Sequence, residues 1–268
     1  MAENNLISTH QSGFRPGDST INQLLLMTHE IYEAFENHQE TRAVFLDISK
    51  AFDKIWHEGL LLKLKSNGID GQLYFLIENF LYNRYQRVVL NGKASSWERV
   101  SAGIPQGSVL GPLFFLIYIN DLAEGTSSKV KFFADDTSMF QVVSDVDTTA
   151  DALNRDLAII ENWAFQWKMS FNPDPTKQAK EVIFSAKRQK QQHPPLIFNG
   201  HQIVADSSHK HLGLILDEKL TFAEHVQEAI LKAKRSIGII RFCQGMFRET
   251  YLTRCISYML DHILTTVI

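Results

Sequence analysis

Asp47 closes a short, mostly apolar run (residues 42–47, RAVFLD), and Asp135-Asp136 separate two β-prone runs, Lys129–Ala134 and Thr137–Val143. An aspartate at a strand end and an acidic pair in a hairpin turn can meet at one end of a single sheet. Three anions gathered there repel one another: a unit pair at 4 Å costs about 1 kcal/mol in water and about 4 kcal/mol near a protein surface. A positive charge must offset that repulsion. Oxygen-only ligands select hard cations, and a site that keeps waters while using substrate phosphates suits Mg²⁺. Two such ions, roughly 3.5–4 Å apart, lower the pKa of an attacking hydroxyl and stabilise the leaving oxygen of an in-line phosphoryl displacement. That chemistry is nucleotidyl transfer. Taken singly, a strand-end aspartate is more often a cap and an Asp-Asp turn more often solvated, so their order and surroundings carry the reading.

The elements that must hold these residues follow from periodicity. A helix is predicted from Ser19 to about Asn37, with Ile21, Leu24, Leu25, Thr28, Ile31 and Phe35 on one stripe behind a Gly17-Asp18-Ser19 start. The strand at 42–47 should be buried; a turn and a helix closed by Gly68 follow it, then a helix over about 71–83. Tyr85–Leu90 and Glu98–Ser101 read as a hairpin, and the Gly/Pro-rich loop SAGIPQGSVLGP leads into an apolar helix from about Leu113 to Leu122. Beyond the acidic turn, residues 147–168 form an amphipathic helix carrying Leu153, Leu157, Ile160, Trp163, Ala164 and Trp167. Strands are predicted at 180–185, 195–198, 201–204 and 209–216, and helices at about 222–244 and 249–265, with 186–195 (AKRQKQQHPP) as the linker-like stretch. This order argues for an α+β domain with a C-terminal helical piece.

Composition narrows the function classes. With 268 residues, 44% hydrophobic and 21% charged, the chain can bury a sizeable core, which excludes disorder as its main state. The longest apolar run, Leu113–Ile119, is far short of the roughly 20 residues a membrane span needs, so no membrane partner is expected. The first ten residues do not read as a secretory signal, and an intracellular location is expected, nucleus and cytoplasm undistinguished. Cys243 and Cys255 suggest neither a zinc site nor a disulfide framework. The formal charge of −3 is unevenly spread: residues 1–134 hold 12 basic against 14 acidic groups (−2), 135–176 hold 2 against 8 (−6), and 177–268 hold 13 against 8 (+5). An acidic middle suits a cation and a basic C-terminal third a polyanion, although solvated helix faces account for both equally well.

The motifs in their order resemble a known family. VFLDISKAFDKIWH (44–57), GIPQGSVLGPLFF (103–115) and FADD (133–136) are similar to the three central palm motifs of reverse transcriptases, specifically those of non-LTR retrotransposons. HQSGFRPGDST (10–20) matches the family's GFR segment, KMSFNPDPTK (168–177) its Asn-to-Lys segment, and HKHLGLILD (209–217) its primer-grip hairpin. The resemblance implies a right-hand polymerase, an antiparallel palm sheet backed by helices: partial fingers over 1–40, palm over 41–185, a primer-grip region over 186–220 and the start of a helical thumb over 221–268. It implies Mg²⁺ as cofactor, two ions with Mn²⁺ as a substitute, and as partners a primed RNA or DNA template and deoxynucleoside triphosphates. It leaves the oligomeric state open.

Carried over position by position, the resemblance makes Asp47, Asp135 and Asp136 the metal-binding carboxylates. Phe52 takes the position whose ring presses on the incoming nucleotide's sugar and leaves no room for a 2′-hydroxyl. Gln106 and Gly107 fall in the loop beside the template base and nucleotide, while Gly111 and Pro112 read as structural. Lys177 matches a lysine near the triphosphate, able to neutralise or protonate the leaving pyrophosphate, or else is a solvated loop residue. Arg15 either touches template or nucleotide or makes an ion pair that fixes the fingers. Lys187, Arg188, Lys190, Lys232, Lys234 and Arg235 can line a groove that tracks phosphates. His209 and His211, alternating out of a strand face, either approach a primer or are simply exposed strand histidines, the commoner outcome, and Trp163 and Trp167 are expected to be core rather than a base-stacking platform.

The chain starts nine residues before the GFR motif, whereas family members carry a fingers segment upstream of it, and the thumb reads as cut short at Ile268. The expectation is a fragment or one decayed copy, so the alternative to an active polymerase core is an inactive remnant that at most binds nucleic acid. A phosphatase of the haloacid dehalogenase type starting at FLD needs a second aspartate two residues after the first, and Ser49 stands there.

Overall fold

A computed structural model of the protein describes residues 7–243 apart from Pro16 and Lys190. In chain order, α1 (Thr20–Glu36) precedes β1 (Glu40–Asp47), and α2 (His57–Ser66) and α3 (Gly71–Leu81) precede four short strands, β2 (Arg84–Gln86), β3 (Val89–Leu90), β4 (Lys93–Ala94) and β5 (Glu98–Val100). Then come α4 (Leu110–Ile119), β6 (Lys129–Phe133), β7 (Asp136–Val143), α5 (Val146–Gln166), a one-turn α6 (Pro175–Gln178) and β8 (Ala179–Phe184). Last are β9 (Ile197–Phe198), β10 (His201–Gln202), β11 (Ser208–His211), β12 (Leu214–Asp217) and α7 (Ala223–Cys243). The predicted helix at 249–265, with Cys255, lies outside the described residues. Among the described residues no helix is long and apolar enough to cross a membrane.

The chain divides into two compact units between Ala205 and Asp206. The first is built on an antiparallel sheet of order β6-β7-β1-β8. Every residue of β1 except Asp47 is buried, which is why its sequence reads as a continuous run rather than an alternation. Val44 and Leu46 share one face with Met139, Val130 and Phe132 and join the main core, to which α2, α4 and α5 contribute Leu60, Phe115 and Leu157. On the other face lie Ala43, Phe45, Phe140 and Val182, and α1 packs on β1. The residues α1 buries are Gln23, Met27, Ile31 and Ala34; of the predicted stripe Ile31 is buried and Leu24, Thr28 and Phe35 are half-buried, while Ile21 and Leu25 are exposed. The helix is apolar on two sides, and the side carrying the slender Met27 and Ala34 lets it approach the sheet. Ser19 caps it as predicted, accepting from Asn22 N at 3.2 Å.

One helix start shifts and one apolar stripe holds. α4 begins three residues earlier than predicted, because Pro112 falls in the first turn, where its missing N–H is needed by no one. α5 buries the predicted Leu153, Leu157, Ile160, Trp163 and Ala164. Trp163 and Trp167 add a task to core packing: with Tyr118 they surround the Lys63 ammonium, whose Nζ lies 3.8 Å from the Trp167 ring centroid and donates to Tyr118 O at 2.6 Å and to Asp121. Desolvation, opposed by Asp121, lowers its pKa to about 8.

The linker-like stretch is no linker. Arg42, buried in β1, donates Nε to Glu181 Oε1 at 2.6 Å and Nη2 to Pro194 O at 3.0 Å, while Glu40 accepts from Ser185 Oγ and His193 Nε2, each at 2.8 Å. Burial pushes the Glu40 carboxyl up, but the bonds from Ser185, His193 and the Gln191 amide outweigh it and hold it below the usual range. A depressed carboxyl stabilises the fold above its ordinary pKa and loses that contribution as pH falls through the folded value. These two buried charges tie 185–194 to the sheet end remote from Asp47. Arg42→Met strands the Glu181 carboxylate, so a loss of about 3–5 kcal/mol in urea denaturation is expected, with trypsin cleavage appearing at Lys187 and Arg188.

In the second unit the predicted strand over 209–216 is a hairpin. Leu212 and Gly213 take φ of +49° and +91°, the left-handed pair of a tight turn, so that His211 faces Leu214. His211 is buried rather than exposed, and desolvation, then the charge of His209, lowers its pKa to about 3. Lys210 and Lys232 both bridge Glu228, at 2.8 and 3.0 Å, which ties β11 to α7.

Candidate active site

The register of β1 against β7 sets Asp47 directly opposite Asp136, and opposed residues of an antiparallel pair project from the same face with Cβ atoms about 4.5–5.5 Å apart. Phe133 pairs with Asp136, so the turn between β6 and β7 is Ala134-Asp135 and Asp136 belongs to the strand, not to the turn as predicted. All three carboxylates are exposed. Desolvation, then repulsion from Asp135 and Asp47, raises the Asp136 carboxyl above the ordinary range.

Glycine lets a third segment reach this turn. Residues 10–12 lie along the open edge of β6, with Phe132 N donating to His10 O at 2.8 Å and Ser12 N to Phe132 O at 2.9 Å. Gln11 Oε1 accepts from Gly13 N and from Ala134 N, at 2.7 and 3.3 Å. A Cβ on Gly13 would stand 2.4 Å from Ala134 N, so only glycine fits beneath the acidic turn. Gln11 and Gly13 belong to the segment that matches the GFR motif, but nothing local in the sequence marks Ala134 as their partner. Arg15 is half-buried. Its charge is the smallest of several influences on Asp18, whose carboxyl burial raises but hydrogen bonds from Ser12, the Ser19 amide and Asn22 hold low.

The neighbouring Phe14 meets Phe52 edge-on, ring centroids 6.5 Å apart, and Phe52 stacks on the buried Phe115 at 4.5 Å and 21°. The half-buried Phe52 ring is thereby fixed between an edge and a face. The Gly/Pro loop docks on the backbone of the same turn: Ile104 N donates to Phe52 O at 3.0 Å and Gly103 N to Ile55 O at 2.8 Å. Gly103, at φ +83°, has room for no Cβ, since one would lie 2.6 Å from Asp53 O. Gln106, exposed, donates Nε2 to Asp53 Oδ1 at 2.9 Å, and Gly107 at φ +80° faces open space.

Asp47 is steered from the far side of the chain. Asn172 donates its amide N–H to Asp47 O at 3.0 Å and its side-chain Nδ2 to Asp47 Oδ2 at 2.8 Å. Asn172 Oδ1 in turn accepts from Asp174 N at 3.1 Å; Asp174 caps α6 through Thr176 and pairs with Lys177 at 3.5 Å. Lys177 is two-thirds exposed, two residues before β8, whose Ala179 pairs with Leu46 beside Asp47. Asn172 is a site residue that the sequence does not single out: it lies in the Asn-to-Lys segment, and only the fold shows that its side chain meets Asp47. Asn172→Ala frees the carboxylate it orients, and a loss of about 10- to 100-fold in Mg²⁺ affinity is expected, measurable by titration calorimetry.

The donor set fits a hard cation in chemistry, being all oxygen and mutually repelling. Among the described residues, however, no three His, Cys, Asp or Glu side chains group closely enough to hold an ion by themselves. An ion here would complete its shell with water and substrate oxygens, the habit of Mg²⁺. Of the basic residues expected to track phosphates, Lys187 and Arg188 belong to the first unit and Lys232, Lys234 and Arg235 to the second; Lys190 lies outside the described residues.

Residues 1–216 match the family described as reverse transcriptase (RNA-dependent DNA polymerase). The chain belongs to the reverse transcriptase family. Among curated relatives it is 31% identical over 234 residues to the probable RNA-directed DNA polymerase from transposon X-element of Drosophila melanogaster, a match spanning 85% of this chain and 25% of that protein. It is 35% identical over 229 residues to the RNA-directed DNA polymerase from mobile element jockey of Drosophila funebris, covering 82% and 24%. The chain thus spans about a quarter of the length of these relatives. The α+β fold, with its antiparallel sheet and helices, is that of telomerase reverse transcriptases. Apo telomerase of Candida tropicalis, truncated from the C-terminal domain, aligns at a TM-score of 0.53 with 13% identity over 80% of this chain and 40% of that one. Telomerase of Candida albicans in complex with a telomeric RNA fragment aligns at 0.53 with 10% identity over 96% and 49%. The non-LTR resemblance of the motifs is thereby borne out at the level of family and fold.

Proposed function

We propose that this chain is the polymerase core of a non-LTR retrotransposon reverse transcriptase, extending a primer 3′-hydroxyl with deoxynucleoside triphosphates on an RNA or DNA template. The pairing of Asp47 with Asp136, one residue from Asp135, carries the reading. The regions are read as partial fingers (1–40), palm (41–185), primer grip (186–220) and the start of the thumb (221–268). Asp47, Asp135 and Asp136 would hold two Mg²⁺ ions, which when bound favour ionisation of the primer hydroxyl and balance charge on the leaving oxygen. The chain's own groups do the rest. Asn172 sets the Asp47 carboxylate in one orientation before any ligand arrives, so little reorganisation remains at the moment of reaction. Phe52 presents an immobilised edge where the sugar passes. Gln106, held by Asp53, and Gly107, without a side chain, leave a flat approach for a template base. Lys177 places an ammonium at the same end of the sheet, where it can neutralise a leaving pyrophosphate.

The other reading is an inactive remnant that at most binds nucleic acid. Primer extension by the purified chain, with a DNA primer on an RNA template and Mg²⁺ or Mn²⁺, separates the two. Extension by several nucleotides is expected; binding without extension supports the remnant.

A further inference from the structure

Between α3 and the Gly/Pro loop the chain projects a hairpin in which every residue from Tyr85 to Arg99 is exposed. It carries Arg84, Arg87, Lys93 and Arg99 against one acidic residue, Glu98, in a chain whose formal charge is −3. The ladder orders these groups. Tyr85 lies directly opposite Arg99, and just beyond the last pair of that ladder, Gln86 with Glu98, the Arg87 guanidinium sits 4.6 Å from the Trp97 ring centroid. This stretch of the hairpin therefore bears two aromatic rings and two guanidinium groups close together, with Tyr85 60% and Trp97 59% exposed. Gln86 and Glu98 pair on the face opposite Tyr85 and Arg99, where Glu98 Oε1 accepts from Ser96 Oγ at 3.1 Å. None of the four side chains serves the core or the carboxylate site.

We propose that the exposed surface formed by Tyr85, Arg87, Trp97 and Arg99 binds single-stranded nucleic acid. Planar rings and planar cations spaced along an exposed ribbon match a ligand that alternates base faces with phosphates, and only unpaired bases offer those faces. Arg87, already laid over Trp97, holds that ring in place and remains free at its outer edge for a phosphate oxygen. β5 leads within three residues to Gly103 and the Gln106 loop of the same unit. Resting on the polymerase reading, the strand bound is the template before it is copied.

Trp97 reports on its own occupancy, because the other tryptophans, Trp56, Trp163 and Trp167, are buried or half-buried. Oligo(dT) and oligo(U) of about ten nucleotides should quench its fluorescence. Trp97→Ala should weaken single-strand binding roughly ten-fold, blunt duplex binding staying within about two-fold and Trp97→Phe restoring most of the loss. Should Trp97→Ala disturb the hairpin, Arg87→Gln decides instead, lowering the salt slope of log K by about one. An unchanged single-strand affinity in both variants, or absent quenching as when a protein covers the apolar Val88–Leu90 tip, overturns the proposal. Quenching without primer extension would sink the polymerase reading and leave this surface standing. Extension with a silent Trp97 would do the reverse.

Discussion

Asp136→Asn is expected to reduce primer extension by at least about a thousand-fold, equivalent to about 4 kcal/mol of transition-state stabilisation, while primer–template affinity stays within a few-fold. The carboxylate faces Asp47 across the β1–β7 ladder and lies one residue from Asp135, so the amide removes one of three negative donors from a site that must attract divalent ions. Asp135→Asn should behave alike, because the two residues act on one site and their losses do not add. Gel-resolved single-nucleotide incorporation under saturating substrate reads the effect directly. Extension by either variant within ten-fold of the parent overturns the assignment of that carboxylate as a metal ligand.

The same variant should melt at the same or a higher temperature than the parent when no divalent ion is present. Desolvation, then Asp135 and Asp47, raises the Asp136 carboxyl. A carboxyl whose folded pKa exceeds its unfolded value favours folding below the unfolded pKa and loses that contribution as pH rises through the folded value. At neutral pH the ionised group therefore opposes the fold, and a neutral amide removes the opposition; in acid the two proteins should converge. Added Mg²⁺ should raise the melting temperature of the parent and not of the variant, since a ligand stabilises only the state that binds it. A lower melting point for Asp136→Asn in the absence of metal would instead mark the residue as a structural group at the strand end.

Legibility in the sequence followed the range of the interactions. β1, β6 and β7 were readable because their apolar runs end at carboxylates, and a two-residue turn leaves little freedom in register. The buried face of α1 was readable only in part: Ile31 of the expected stripe is buried, but the sheet, which only tertiary structure supplies, favours Met27 and Ala34 over Ile21 and Leu25. The docking of 185–194 was hidden for the opposite reason: it depends on Arg42 and Glu40, polar residues in a strand whose partners lie 139 to 153 residues away. Within the site, the carboxylates and Phe52 stood at motif positions, whereas the bond from Asn172 to Asp47 joins residues 125 apart and leaves no local trace. The hairpin quartet follows the same rule: only the folded hairpin brings the Arg87 guanidinium over the Trp97 ring.

Phe52→Val should admit ribonucleotides. The Phe52 ring is stacked on Phe115 and met edge-on by Phe14, so it cannot swing aside when a 2′-hydroxyl approaches. A branched aliphatic side chain keeps the apolar contact with Phe115 but gives up the ring's reach, and discrimination between deoxy- and ribonucleoside triphosphates should fall about 10- to 100-fold, the range one steric contact supplies. Phe52→Tyr keeps the ring and should keep the discrimination. The valine variant also loses packing against a half-buried neighbour, at about 1–2 kcal/mol of stability, which lowers the fraction of competent molecules and slows both substrates alike. The ratio of incorporation efficiencies is immune to that loss, because both are read on one sample. A ratio unchanged from the parent would make Phe52 a packing residue between Phe14 and Phe115 and move nucleotide selection elsewhere in the chain.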